Sequence, residues 1–164
     1  PEGFAIKQFN TIKAAKKEVS ILDDVKDSPF FPNVLIRVSN IVVREYVQGE
    51  NLYEYIQKKG LSYSLSKEII DLLEDLKRLK FKRLNVRNAH IFIDSNEKIK
   101  VIDPRKPYVK NTPYPKDIIK LLLKLKVFDK FLQDLLNYRP DLLDYWIDGY
   151  NYVANNYRHV LRYW

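Results

Sequence analysis

Apolar and polar residues alternate in GFAIKQF, the two-residue period of a strand whose faces differ. The pattern then changes to a helical one. Ile12, Ala15, Val19 and Leu22 recur every three or four residues, Asn10 or Thr11 can cap the first turn, and the helix is predicted to run to about Val25. SPFFPN interrupts it, because Pro29 and Pro32 lack a backbone donor and restrict the residues before them. Two short strands are expected at residues 34–38 and 40–45. After a turn at Gly49, residues 52–59 suit a helix, and Ser64 or Ser66 is expected to open a longer one with Ile69, Leu72, Leu73, Leu76 and Leu79 on a single face. HIFI and KIKVID, parted by DSNE, predict a hairpin. Beyond Pro115 the chain is expected to be helical throughout, as DIIKLLLKLKVFDKFL and then DLLDYWIDGYNYVANNYRHVLRYW, punctuated by Pro140 and Gly149.

Composition narrows the chemistry. The 164 residues are 46% hydrophobic, enough for a core, and contain no cysteine, which removes disulfides, zinc-thiolate sites and thiol nucleophiles. No apolar run reaches the roughly 18 residues that cross a bilayer, and PEGFAIKQFN lacks the character of a signal peptide, so a cytoplasmic location is the default expectation. The chain contains no Met, which is expected of a fragment or a processed product.

Twenty-nine basic residues against 21 acidic give a net charge of +8, which favours acidic partners or nucleic acid. The densest basic run holds Lys77, Arg78, Lys80, Lys82, Arg83 and Arg87. It suits either a solvated helix face and loop or a surface that docks an acidic protein or RNA.

The order strand, helix, two strands, helices, hairpin, helices, taken with several local matches, resembles the protein kinase-like superfamily, in particular its small bacterial serine/threonine members with shortened activation segments. FAIKQF is similar to that family's V-A-I-K strand, with Lys7 in the place of the lysine that grips the α- and β-phosphates. KKEVSIL is similar to the helix that follows, with Glu18 as the lysine's partner; Glu18 shares a face with Ala14, Ala15, Ile21 and Leu22 and is expected to point inward. VVREYVQGENLYEYI resembles the hinge. The resemblance implies that the backbones of Glu45 and Val47 meet an adenine edge, that Arg44 stands at the gatekeeper position, and that Phe92 joins the nucleotide site.

RLNVRNAHIFID resembles the catalytic loop H-R-D-L-x-x-x-N running into a strand. In that register Asn85 takes the place of the catalytic Asp and His90 that of the magnesium-binding Asn. KVIDPRKPY resembles the strand and D-F-G turn, retaining Asp103 as a magnesium ligand but placing Pro104 and Arg105 where Phe and Gly belong. Asp117 resembles the aspartate that opens the large helix and ties down the catalytic loop. Asp103 lies thirteen residues after His90, and only fourteen separate it from Asp117, so a long activation segment cannot fit. Six residues precede Lys7, too few for the Gly-rich loop.

The resemblance therefore implies an α+β fold: an incomplete, β-rich N-lobe over residues 1–46, holding the counterparts of the family's third strand, C helix and fourth and fifth strands, and a mainly helical C-lobe over residues 47–164. It implies ATP and Mg2+ as cofactors and a phosphotransferase that is weakly active or inactive. The amide of Asn85 cannot accept a proton as a carboxylate does, and His90 offers nitrogen to an ion that prefers oxygen. The alternative is a pseudokinase that binds a protein or RNA through its basic face. A third, unrelated basic helical protein that binds nucleic acid also fits the composition.

Overall fold

The computed structural model describes residues 3–104, 108 and 111–157. The fold is mixed α and β, with two small antiparallel sheets followed by a helical C-terminal part. Strand β1, Phe4–Gln8, leads into helix α1, Ile12–Asp24. Thr11 caps α1 by accepting from the Ala14 N–H at 3.1 Å, satisfying a donor that the first turn leaves orphaned. Strands β2, Val34–Val38, and β3, Ile41–Glu45, complete a sheet of order β1-β3-β2. Its inner face turns Val42 onto Ala15 and Val19 of α1. On its outer face Phe4, Ile6, Ile36 and Val38 are exposed.

The second sheet joins β4, Glu50–Asn51, to the hairpin of β5, Ile91–Ile93, and β6, Ile99–Val101. Gly49 makes the close approach possible: at φ +110° a Cβ there would lie 1.9 Å from the Ile93 carbonyl oxygen. The hairpin turn is held by Asp94, whose carboxylate accepts from the Asn96 and Lys98 N–H groups, both at 2.8 Å. His90, expected as the first strand residue, instead closes the short 3-10 turn Asn88–His90.

Helix α2, Leu52–Lys59, ends at Gly60, and helix α3, Tyr63–Arg78, follows. The cap of α3 is Ser62 and not the expected Ser64 or Ser66; its hydroxyl accepts from the Leu65 N–H at 2.9 Å. The predicted α3 stripe is buried at Ile69, Leu72, Leu73 and Leu76, while Leu79 falls just past the last turn. Helix α5, Phe128–Tyr138, packs against α3, and α4, Lys116–Lys124, and α6, Leu143–Asn156, pack on α5 and on each other, with Phe131 and Trp146 fully buried and their ring centroids 4.5 Å apart.

DIIKLLLKLKVFDKFL is two helices, which corrects the expectation of one. Lys126 adopts φ +57°; its N–H reaches the Leu123 carbonyl while the Val127 N–H reaches that of Leu122. These two bonds close a helix end that normally uses glycine. Gly149 lies inside α6 and does not interrupt it. Among the described residues, no helix is long and apolar enough to cross a membrane.

Candidate functional site

The inner face of the first sheet and the segment after β6 meet at one side chain. Lys7 lies in β1, where alternation turns Ala5 and Lys7 inward. Its Nζ donates to both carboxylate oxygens of Glu18, at 2.9 and 2.7 Å, and to Asp103 Oδ1 at 3.5 Å. Glu18 comes from the middle of α1 and is 9% exposed, so the inward orientation predicted for it is observed. A carboxylate this buried requires a partner, and Lys7 supplies it. Asp103 arrives from β6 with φ +57°, a left-handed conformation that Asp tolerates better than most residues but that still carries strain.

Below this contact lies a pocket of about 60 Å3 lined by Phe31, Phe81, Arg83, Asn85, Val86, Arg87, His90, Val101, Asp103 and Pro104. The sequence thus brings Asn85, His90 and Asp103 to one place. Arg105, which stands at the family's glycine, lies outside the described residues.

Asn85 is 4% exposed, and both ends of its amide are engaged by the first turn of α4: Nδ2 donates to Asp117 Oδ2 at 2.9 Å, and Oδ1 accepts from the Asp117 N–H at 2.8 Å. Asn88 adds a third tie, donating to the Asp117 carbonyl at 2.9 Å. Asp117 therefore holds the loop, and the Asn85 amide is consumed in that hold.

The remaining predicted residues divide. The Glu45 carboxylate accepts from the backbone and side-chain nitrogens of Asn33, both at 3.0 Å. Burial pushes its pKa up, but the Asn33 hydrogen bonds and nearby Lys100 outweigh that and leave it lowered. The Glu45 N–H donates to the Asn33 carbonyl and the Tyr46 N–H to that of Gly3. The Val47 amide has no partner among the described residues. Phe92 sits between the buried Ile91 and Ile93 on β5, faces the other way, and does not line the pocket.

The basic run is not one surface. Lys77 is paired with Glu74 at 2.8 Å and lies 3.7 Å from the centre of the Tyr145 ring, while Arg78 donates twice to Asp75. Arg83 and Arg87 turn to the pocket, and Lys80 and Lys82 stay exposed. The pairing was detectable in advance, since Glu74 and Asp75 stand three residues before Lys77 and Arg78.

Arg44 is 8% exposed, and its Nε and Nη1 are buried without a hydrogen-bond partner among the described residues.

Among the described residues no group of three or more His, Asp and Glu side chains is placed to hold a metal ion. Asp103 offers one hard oxygen ligand, which suits Mg2+ because that ion is commonly held by one or two carboxylates together with substrate phosphates and water. His90 suits it poorly. No protein-family model matches the chain, and no curated protein is significantly similar to it.

Proposed function

We propose that the chain is a serine/threonine protein kinase-like module that binds a nucleoside triphosphate and transfers phosphate weakly or not at all. The observation that supports this reading best is the three-way contact of Lys7 with Glu18 and Asp103. Lys7 is a compact charge whose ammonium is held by Glu18, and the longer 3.5 Å contact to Asp103 is the one an incoming phosphate would replace. Arg83 and Arg87 on the pocket wall add positive charge for the phosphate chain. A magnesium ion bound with the nucleotide would be held by Asp103 and would neutralise phosphate charge there.

Catalysis is weak in this reading because the residue at the family's base position is an amide, which cannot accept the proton. Both polar atoms of Asn85 are engaged by Asp117. A positioned base is worth about 10²- to 10⁴-fold in rate, so its loss alone reduces turnover by that order. A docking role for the basic run has less in its favour, since Lys77 and Arg78 are neutralised by their own helix.

The test is thermal unfolding with magnesium and a nucleoside triphosphate. At a hundred times Kd, binding adds about 2.7 kcal/mol, a rise of several degrees in Tm for a chain this size. Lys7→Met, compared with its own ligand-free Tm, should lose most of that rise. The variant's ligand-free stability should also fall, by about 1–3 kcal/mol: the buried-pair penalty is reduced because Lys7 is a third exposed. No rise with any nucleotide, or an undiminished rise in Lys7→Met, would sink the reading.

A further inference from the structure

Among the described residues, the other buried charges are matched by opposite charge or hydrogen bonds. Glu18 meets Lys7, and Asp134 accepts from Ser66 at 2.6 Å and from Lys130 at 3.0 Å. Arg44 does not follow the rule. Its Nε and Nη1 are enclosed without an acceptor, and no described residue forms an ion pair with it. An arginine carries five N–H donors in a rigid plane and has no acceptor of its own, so a buried unpaired one is strongly unfavourable until something brings acceptor atoms to it.

The sheet register places that demand. Arg44 pairs with Ala5, and Lys7 pairs with Val42 one step along the same inward face, which makes Lys7 and Arg44 diagonal neighbours with backbones about 7–8 Å apart. Lys7, Arg83 and Arg87 cluster toward Asp103, where a phosphate chain would lie. Arg44 is at the other end, where β3 runs out into residues 45–47 and the Val47 amide also has no partner among the described residues. The acceptors missing at Arg44 are therefore to be supplied by the part of the ligand away from its phosphates.

We infer that the cleft selects a guanine over an adenine nucleotide, with Arg44 as the selecting side chain. This rests on the nucleotide-binding reading above. Guanine presents O6 and N7, two adjacent acceptors that match the guanidinium fork. Adenine presents N7 beside the N6 amino group, a donor, which would face the donors of Arg44. A donor-only wall accepts the first edge and repels the second.

Isothermal titration of the whole chain with MgGTP, MgATP and inorganic tripolyphosphate tests this. The expected result is at least about tenfold tighter binding of MgGTP than of MgATP, within the range that a two-bond base contact discriminates. In Arg44→Met the preference should collapse to within about twofold, while tripolyphosphate affinity stays unchanged. Arg44→Met removes a buried unpaired charge, so it should fold with a Tm no lower than the parent; were it not to fold, the comparison on the parent protein still decides. Equal or tighter binding of MgATP would overturn the inference and leave nucleotide binding intact. Tripolyphosphate affinity that falls in Arg44→Met would overturn it differently, by assigning Arg44 to the phosphates. If none of the three probes binds, the nucleotide reading fails and the inference fails with it.

Discussion

Asn85 occupies the place where the resemblance puts a catalytic aspartate, and its two hydrogen bonds to Asp117 determine what restoring that aspartate would do. Asn85→Asp keeps an acceptor for the Asp117 N–H but replaces the Nδ2 donor with a second carboxylate oxygen about 3 Å from Asp117 Oδ2. It loses a hydrogen bond to a charged group, worth about 1.5–3 kcal/mol, and adds repulsion in a buried site. We expect a loss of about 2–4 kcal/mol at neutral pH and no gain in phosphotransfer, measured by urea unfolding and by autophosphorylation. A stable, active Asn85→Asp would contradict the hold by Asp117. At this scale the sequence was informative where a residue's role is local or follows a known spacing: Lys7 and Glu18 were paired correctly. The isolation of Arg44 was not legible, because an absence of partners depends on every surrounding element at once.

At the scale of elements, the close packing of α6 on α4 depends on one missing side chain. A Cβ at Gly149 would stand 2.8 Å from Ile119 Cδ1 and 3.3 Å from Tyr114 Cδ1. Ile119 can yield by moving the end of its side chain, and alanine recovers about 1 kcal/mol of helix propensity, so Gly149→Ala should change stability by less than about 1 kcal/mol. Gly149→Val has two more methyl groups to place against a fully buried Ile119 and should lose about 2–3 kcal/mol in chemical denaturation. Equal stability of the two would mean that the helices can separate freely. In the sequence this glycine read as punctuation, whereas the actual break fell at Lys126, where a left-handed residue closes α4 without glycine. Local composition marks a helix end only when the residue is specialised for it. Helix positions set by apolar periodicity, such as α1 and the buried stripe of α3, were legible because burial itself enforces the period, whereas β1 keeps its alternation with Phe4 and Ile6 on the exposed face.

Over the whole molecule, stability is unevenly distributed. The cluster that joins the first sheet to α1 consists of Ala15, Val19 and Val42, against thirty residues in the main core. Burying one aliphatic side chain contributes about 1.5–3 kcal/mol, and fixing the backbone of each residue costs about 1–2 kcal/mol. Three buried residues cannot order a sheet of three five-residue strands. The sheet is ordered instead through its attachments: α1, which with its C-cap carries Leu22 and Val25 into the main core, and the Lys7 contacts to Glu18 and Asp103. Amides of Lys7 and Val42, a hydrogen-bonded pair of the β1–β3 ladder, should therefore exchange with solvent hydrogen through a sub-global opening, well before those of Ile69 to Leu76 in α3. A nucleotide that engages Lys7 and Arg44 acts on this weakly held sheet and on the hairpin side together. It should slow exchange in β1 and β3 far more than in α3, because ligand binding protects only openings that release the ligand. Hydrogen exchange followed by mass spectrometry would read this directly. Identical protection of β1 and α3 in the ligand-free protein would show that the sheet opens only with the whole fold, and the cleft would then be rigid before any ligand arrives.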